Sequence, residues 1–173
     1  MLTLLPLAGI TVSAEVSAAV DFQTDGTVVW SGNATAQAGH DYTCVLSATD
    51  DVHALFSNGI SVSLWEPSGR TYLRSTDWTF DRATSTLTIP GDKIAFPGGG
   101  QNAKIEIYAT ARAGRIPVAL VDRQNSVDLT GPAKAIEGVD SVCQLQAKYG
   151  FQPLKAANIS VETGGYSMKK DYW

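Results

Sequence analysis

Residues 75–92 read Ser-Thr-Asp-Trp-Thr-Phe-Asp-Arg-Ala-Thr-Ser-Thr-Leu-Thr-Ile-Pro-Gly-Asp. Trp78 and Phe80 fall on one side of an extended chain, and Asp77, Thr79 and Asp81 fall on the other. Arg82-Ala83-Thr84-Ser85 is a polar connection. Alternation then resumes, with Leu87 and Ile89 sharing a face. The stretch is therefore predicted to be a hairpin with a four- or five-residue loop. Threonine suits the solvated side of such a ribbon, because it is β-branched yet polar.

The same period of two recurs on both sides. Ile10, Val12, Ala14, Val16, Ala18 and Val20 alternate and predict a long first strand. The start lacks a positive n-region, and Pro6, Gly9 and Glu15 interrupt its apolar run, so it reads as strand rather than signal peptide. Residues 41–48 and 59–66 read as strands, joined by a polar-flanked connection with a short apolar centre. Glu66-Pro67-Ser68-Gly69 has the chemistry of a turn, with residues 70–75 as the return strand. Residues 104–110, Lys-Ile-Glu-Ile-Tyr-Ala-Thr, give the clearest alternation in the chain, with Ile105, Ile107 and Ala109 inward. Residues 116–122 follow as a further strand, placed at an edge or near its start by Pro117.

After Asp122 the pattern changes. Val139, Val142, Cys143, Gln146 and Tyr149 have helical spacing, with Asp140 as N-cap and Gly150 just past the end. One short helix is predicted over 140–149, followed by a short terminal strand and an aromatic tail. About eight strands separated by turn signals imply a mainly β chain, an antiparallel β-sandwich over residues 1–122. Residues 123–173 are read as a C-terminal arm.

Charge and motif content narrow the function classes. The net charge is −4, which argues against nucleic acid as the main partner. Charged residues are 17% of the chain, against roughly 25% in an average domain. Residues 1–69 hold seven acidic side chains and no Lys or Arg, whereas residues 70–173 hold all 13 basic side chains against 10 acidic ones. Such a split suits acidic and basic faces meeting between copies in an assembly. No run of 18 apolar residues predicts a transmembrane helix, and no membrane partner is expected.

No nucleophile elbow, phosphate loop or metalloprotease motif is present. His40-Asp41 and Asp50-Asp51-Val52-His53 carry potential metal ligands, but at no recognised spacing. Cys44 and Cys143 belong to no CxxC pair. No catalytic residue, metal or cofactor is therefore assigned. The aromatic tail suggests docking on a partner, since Tyr166, Tyr172 and Trp173 lie beside Lys169 and Lys170. Val139, Val142, Tyr149 and Phe151 complete the candidate anchors of the arm. An alternative use of aromatics is a sugar-binding platform of Trp65, Trp78 or Tyr72.

The elements from Gly59 to Thr110 also carry a family likeness. They run ISVSLWEPSGRTYLRSTDWTFDRATSTLTIPGD, then a glycine-rich loop, then AKIEIYAT. This order resembles small Ig-like or jelly-roll-like modules in structural proteins of tailed bacteriophages. The resemblance covers about 50 of the 173 residues and supplies no catalytic residues. It implies a non-enzymatic virion protein of a tail, baseplate, fibre-attachment or capsid-decoration type. It further implies symmetric homo-oligomers that bind other virion proteins. The competing expectation is a carbohydrate-binding or adhesin-type module.

Overall fold

The computed structural model describes residues 16–163 and 166–168. They are mainly β, and the two helical elements among them are single 3-10 turns, Gly91–Lys93 and Ala156–Asn158. The chain divides into two compact units, one ending at Gly114 and the other beginning at Arg115. The sequence reading draws its boundary at 122.

Among its described residues the first unit holds nine strands. They are β1 (Ser17–Thr24), β2 (Val28–Gly32), β3 (Thr35–Gln37), β4 (Tyr42–Ala48), β5 (His53–Glu66), β6 (Gly69–Tyr72), β7 (Thr79–Asp81), β8 (Thr86–Ile89) and β9 (Lys104–Ala113). One sheet has the order β3-β1-β9-β5-β6, and the other β2-β4-β8-β7. All pairings are antiparallel except β1 with β9, which run parallel from Ala19↔Lys104 to Thr24↔Ala109.

The alternation read from the sequence explains which side chains are inside. Ile105, Ile107 and Ala109 of β9 have no exposed surface, and neither do Leu46, Leu87 and Ile89 of the second sheet. Both sheets contribute to one hydrophobic cluster, closed by Trp78, Ile94 and Phe96. The hairpin at 75–92 forms as predicted, with Phe80↔Leu87 in register. Its outer side joins Thr43, Thr88 and Thr79 in one cross-strand row. The threonines of the opening stretch thus cover the solvent side of the second sheet. Cys44 is buried beneath it, and desolvation pushes its thiol up to about 11, so it stays protonated at neutral pH. Both cysteines are free.

Residues 53–58, read from the sequence as connection, are instead strand, so β5 runs 14 residues. Its pairing with β9 shifts register between Leu55 and Ile60. That bulge breaks the alternation, which is why the stretch does not look like strand. A Cβ at Gly59 would stand 2.5 Å from the carbonyl oxygen of Thr110, so the irregularity requires glycine.

Among its described residues the second unit contains three two-stranded antiparallel ribbons. These pair β10 (Arg115–Pro117) with β12 (Lys134–Ile136), β11 (Val127–Thr130) with β13 (Gln144–Ala147), and β14 (Glu162–Thr163) with β15 (Tyr166–Ser167). The helix expected over 140–149 is not formed. Residues 144–147 are strand β13, in register with β11 from Val127↔Ala147 to Thr130↔Gln144. Gln-Leu-Gln-Ala also alternates with period two, and the matching Val-Asp-Leu-Thr of β11 gives it a partner. The strand expected over 116–122 shortens to Arg115–Pro117.

Candidate functional site

The densest chemistry in the first unit lies on the outer face of its five-stranded sheet. Because Ile60, Val62 and Leu64 of β5 point into the core, Ser61, Ser63 and Trp65 take the opposite face. The same parity on β9 turns Lys104, Glu106 and Tyr108 outward. Pairing then brings these side chains together in rows. Trp65 lies opposite Arg70 of β6 on one side and Lys104 of β9 on the other. One level along, Ser63 lies between Tyr72 and Glu106. A level further, Ser61 lies opposite Tyr108.

The centre of this face is an ionic cluster. Glu106 is only 9% exposed and pairs with Arg70 and, at 2.6 Å, with Lys104. Lys104 also reaches Asp21 of β1 at 3.2 Å. The same two cations hold the aromatic rings. The Lys104 ammonium sits 5.4 Å from the Trp65 ring centre, and the Arg70 guanidinium 5.2 Å from that of Tyr72. Arg70 Nη1 also donates to the Tyr72 hydroxyl at 2.9 Å. Trp65, Tyr72 and Tyr108 nonetheless remain well exposed, Tyr72 at 66%. Ion pairs that neutralise one another around the buried Glu106 hold the exposed Trp65 and Tyr72 rings in place, an arrangement able to bind a ligand.

Of the aromatics proposed from the sequence as a sugar platform, the structure brings Trp65 and Tyr72 onto one face. Trp78 does not join them, because it is buried in the core. Sequence reasoning missed Tyr108, Glu106, Lys104 and Arg70. The alternation of residues 104–110 did place the first three outward. Strand order was the missing signal, because nothing local says that β9 pairs with β5.

The arm residues singled out from the sequence lie in the second unit. Val142 is 77% exposed, Tyr149 is fully exposed and Phe151 is exposed, whereas Val139 is half-buried. They do not share a helix face. Val142 precedes β13, and Tyr149 and Phe151 follow it. The backbone of Tyr166 belongs to β15, opposite Thr163. The Tyr166 side chain, Tyr172 and Trp173 lie outside the described residues.

No residue from Arg115 to Thr163 is buried. Every buried apolar side chain among the described residues lies between Ala18 and Ala111. In the β11/β13 ribbon, Val127, Leu129, Leu145 and Ala147 form a half-buried apolar side. Asp128, Thr130, Gln144 and Gln146 form the polar side, which lines a shallow depression of about 420 Å³. Asp122 fixes the entry to β11 by accepting from the backbone N–H groups of Gln124, Ser126 and Val127.

Among the described residues, no group of three or more His, Cys, Asp or Glu is placed to hold a metal ion. The His53 ring does meet Asp50 at 2.6 Å, where the turn before β5 ends. Asp41 caps Gly91 from the other end of β4 at 2.7 Å. In comparisons with known proteins, no family model, no curated protein and no solved structure matches the chain.

Proposed function

We propose that this chain is a non-enzymatic structural component of a tailed-phage virion, in a tail, baseplate, fibre-attachment or capsid-decoration role. Its first unit is the body, an Ig-like sandwich of two sheets over one core. Its second unit is the arm through which symmetric copies and other virion proteins are joined.

The observation that carries this reading is the absence of any buried side chain from Arg115 to Thr163. Two-stranded ribbons are marginally stable alone, and they need a third strand or a packed layer on their apolar side. The second unit has the apolar residues for such a layer but not the burial. A surface supplied by another chain completes it. Charge agrees with this use, since residues 115–163 carry five acidic and five basic side chains and so add no net charge to a contact between arms.

The test is light scattering coupled to size-exclusion chromatography on the full chain, at low and high salt. A closed oligomer that Val142→Asp combined with Tyr149→Asp converts to monomer is the expected result. A wild-type chain that stays monomeric at every salt and concentration, and that antibody labelling does not find on tailed particles, would refute the reading.

A further inference from the structure

The outer face of the five-stranded sheet has features that the assembly reading does not use. Three exposed aromatic side chains, Trp65, Tyr72 and Tyr108, stand around the ionic cluster, with the exposed Ser61 beside Tyr108 and Ser63 buried beneath at 4% exposure. By sheet geometry the backbones at Tyr72 and Tyr108 are two strands and one level apart, about 12 Å. That separation is wider than a single pyranose ring.

We propose that this face is a carbohydrate-binding site for a neutral oligosaccharide, with Tyr72 and Tyr108 as stacking rings of an exposed platform and Trp65 at its end. The argument is chemical and does not depend on the assembly reading. A sugar presents apolar C–H faces flanked by hydroxyls, so it needs rings to stack on and charged or hydroxyl groups at their edges. The face offers both, with Glu106, Arg70 and Lys104 beside the rings. Tyr72 and Trp65 are already oriented by Arg70 and Lys104, so little of their side-chain freedom is lost on binding.

The charge balance selects the ligand class. Arg70 and Lys104 are matched by Glu106 and Asp21, leaving no surplus charge to attract a sulfated or carboxylated glycan. A dry protein interface fits less well. The cores of such interfaces are depleted of charged residues, because covering them strips water from ions that are then imperfectly paired. Here the ions sit at the centre of the face and the rings around them. A hydroxyl-rich ligand can replace the lost water by hydrogen bonding to those same ions.

The experiment is an NMR titration of the full chain, following backbone amides, with maltoheptaose, cellohexaose and chitohexaose at millimolar concentration and dextran sulfate in parallel. At least one neutral probe is expected to shift amides of residues 61–65, 70–72 and 104–108. Tyr72→Ala and Tyr108→Ala, both at exposed positions, should each weaken that binding about tenfold with the rest of the spectrum unchanged. The proposal is overturned if no neutral probe shifts these amides, if only dextran sulfate does, or if binding survives the double substitution. It is also overturned if the double substitution abolishes self-association in light scattering while sugars have no effect, which would make this face a protein interface. Loss of sugar binding with an intact oligomer, or the reverse, separates this site from the arm.

Discussion

Asp25 illustrates how single polar side chains tie the β1–β2 turn to the rest of the first unit. One carboxylate oxygen accepts from the Thr27 hydroxyl at 2.6 Å and from its backbone N–H at 3.0 Å. The other accepts from the Thr110 hydroxyl of β9 at 2.7 Å. Hydrogen bonds from the side chains of Thr27 and Thr110 favour the ionised form and lower its pKa to about 2, from an ordinary value of 3.8. Asp50 falls to about 2 as well, through the backbone N–H groups of His53 and Val52 and then the His53 ring. Both folded-state values lie below the unfolded ones. Their contribution to stability is therefore complete above about pH 4 and is lost as pH falls towards 2. Denaturant unfolding between pH 5 and pH 2 should show this loss, and Asp25→Asn should be less stable at neutral pH with a shallower fall through the acid window. A variant whose curve merely runs parallel to the wild-type curve would show that Asp25 has the same pKa in the folded and unfolded states.

Hairpins with local turns were the most legible elements, because turn chemistry and alternation lie within one short window. The Glu66–Gly69 turn joins β5 to β6, and the opening stretch forms β7 and β8. The bulge in β5 was hidden because Phe56 and Ile60 are both buried although the register shifts between Leu55 and Ile60. Residues 140–149 went wrong for the opposite reason, since a short segment satisfied two periods at once and its partner strand decided between them. The bulge gives a sharp prediction at this scale. An alanine at Gly59 would press its methyl against the Thr110 carbonyl, which belongs to the central strand and has little room to move. Gly59→Ala should lower stability by about 1–3 kcal/mol in urea denaturation. Gly98→Ala is the control. There the nearest neighbour is the flexible Glu66 carboxylate at 2.9 Å, and the effect should stay within about 0.5 kcal/mol. Equal losses at the two positions would remove the special role of the bulge.

Strand order was illegible because the chain changes sheet between β1 and β2, β2 and β3, β3 and β4, β4 and β5, β6 and β7, and again before β9. Within the first unit, only the β5–β6 and β7–β8 hairpins keep sequence neighbours paired among the described residues. The parallel β1–β9 pairing joins residues more than eighty positions apart, and no local pattern announces it. The aromatic face of the five-stranded sheet depends on this long-range order, so its parts were visible in the sequence while their meeting was not. The contrast between the two units was equally hidden. Residues 115–163 contain Val127, Leu129, Leu145, Phe151 and Ile159, and this composition resembles that of a core-forming segment. Composition reports what could be buried, and burial depends on what the fold supplies to cover it. Local stability follows burial, and segments with few buried apolar contacts open with free energies far below the global value. Amide hydrogen exchange of the monomeric chain should therefore separate the units. Amides of β4, β5, β8 and β9 should exchange only through global unfolding, and those of β11 and β13 should exchange orders of magnitude faster. Raising the concentration into the oligomer range should slow exchange in β11 and β13 and leave the first unit unchanged. If β11 and β13 are already as protected as β9 in the monomer, the second unit is complete without a partner, and its role as the arm of an assembly loses its physical basis.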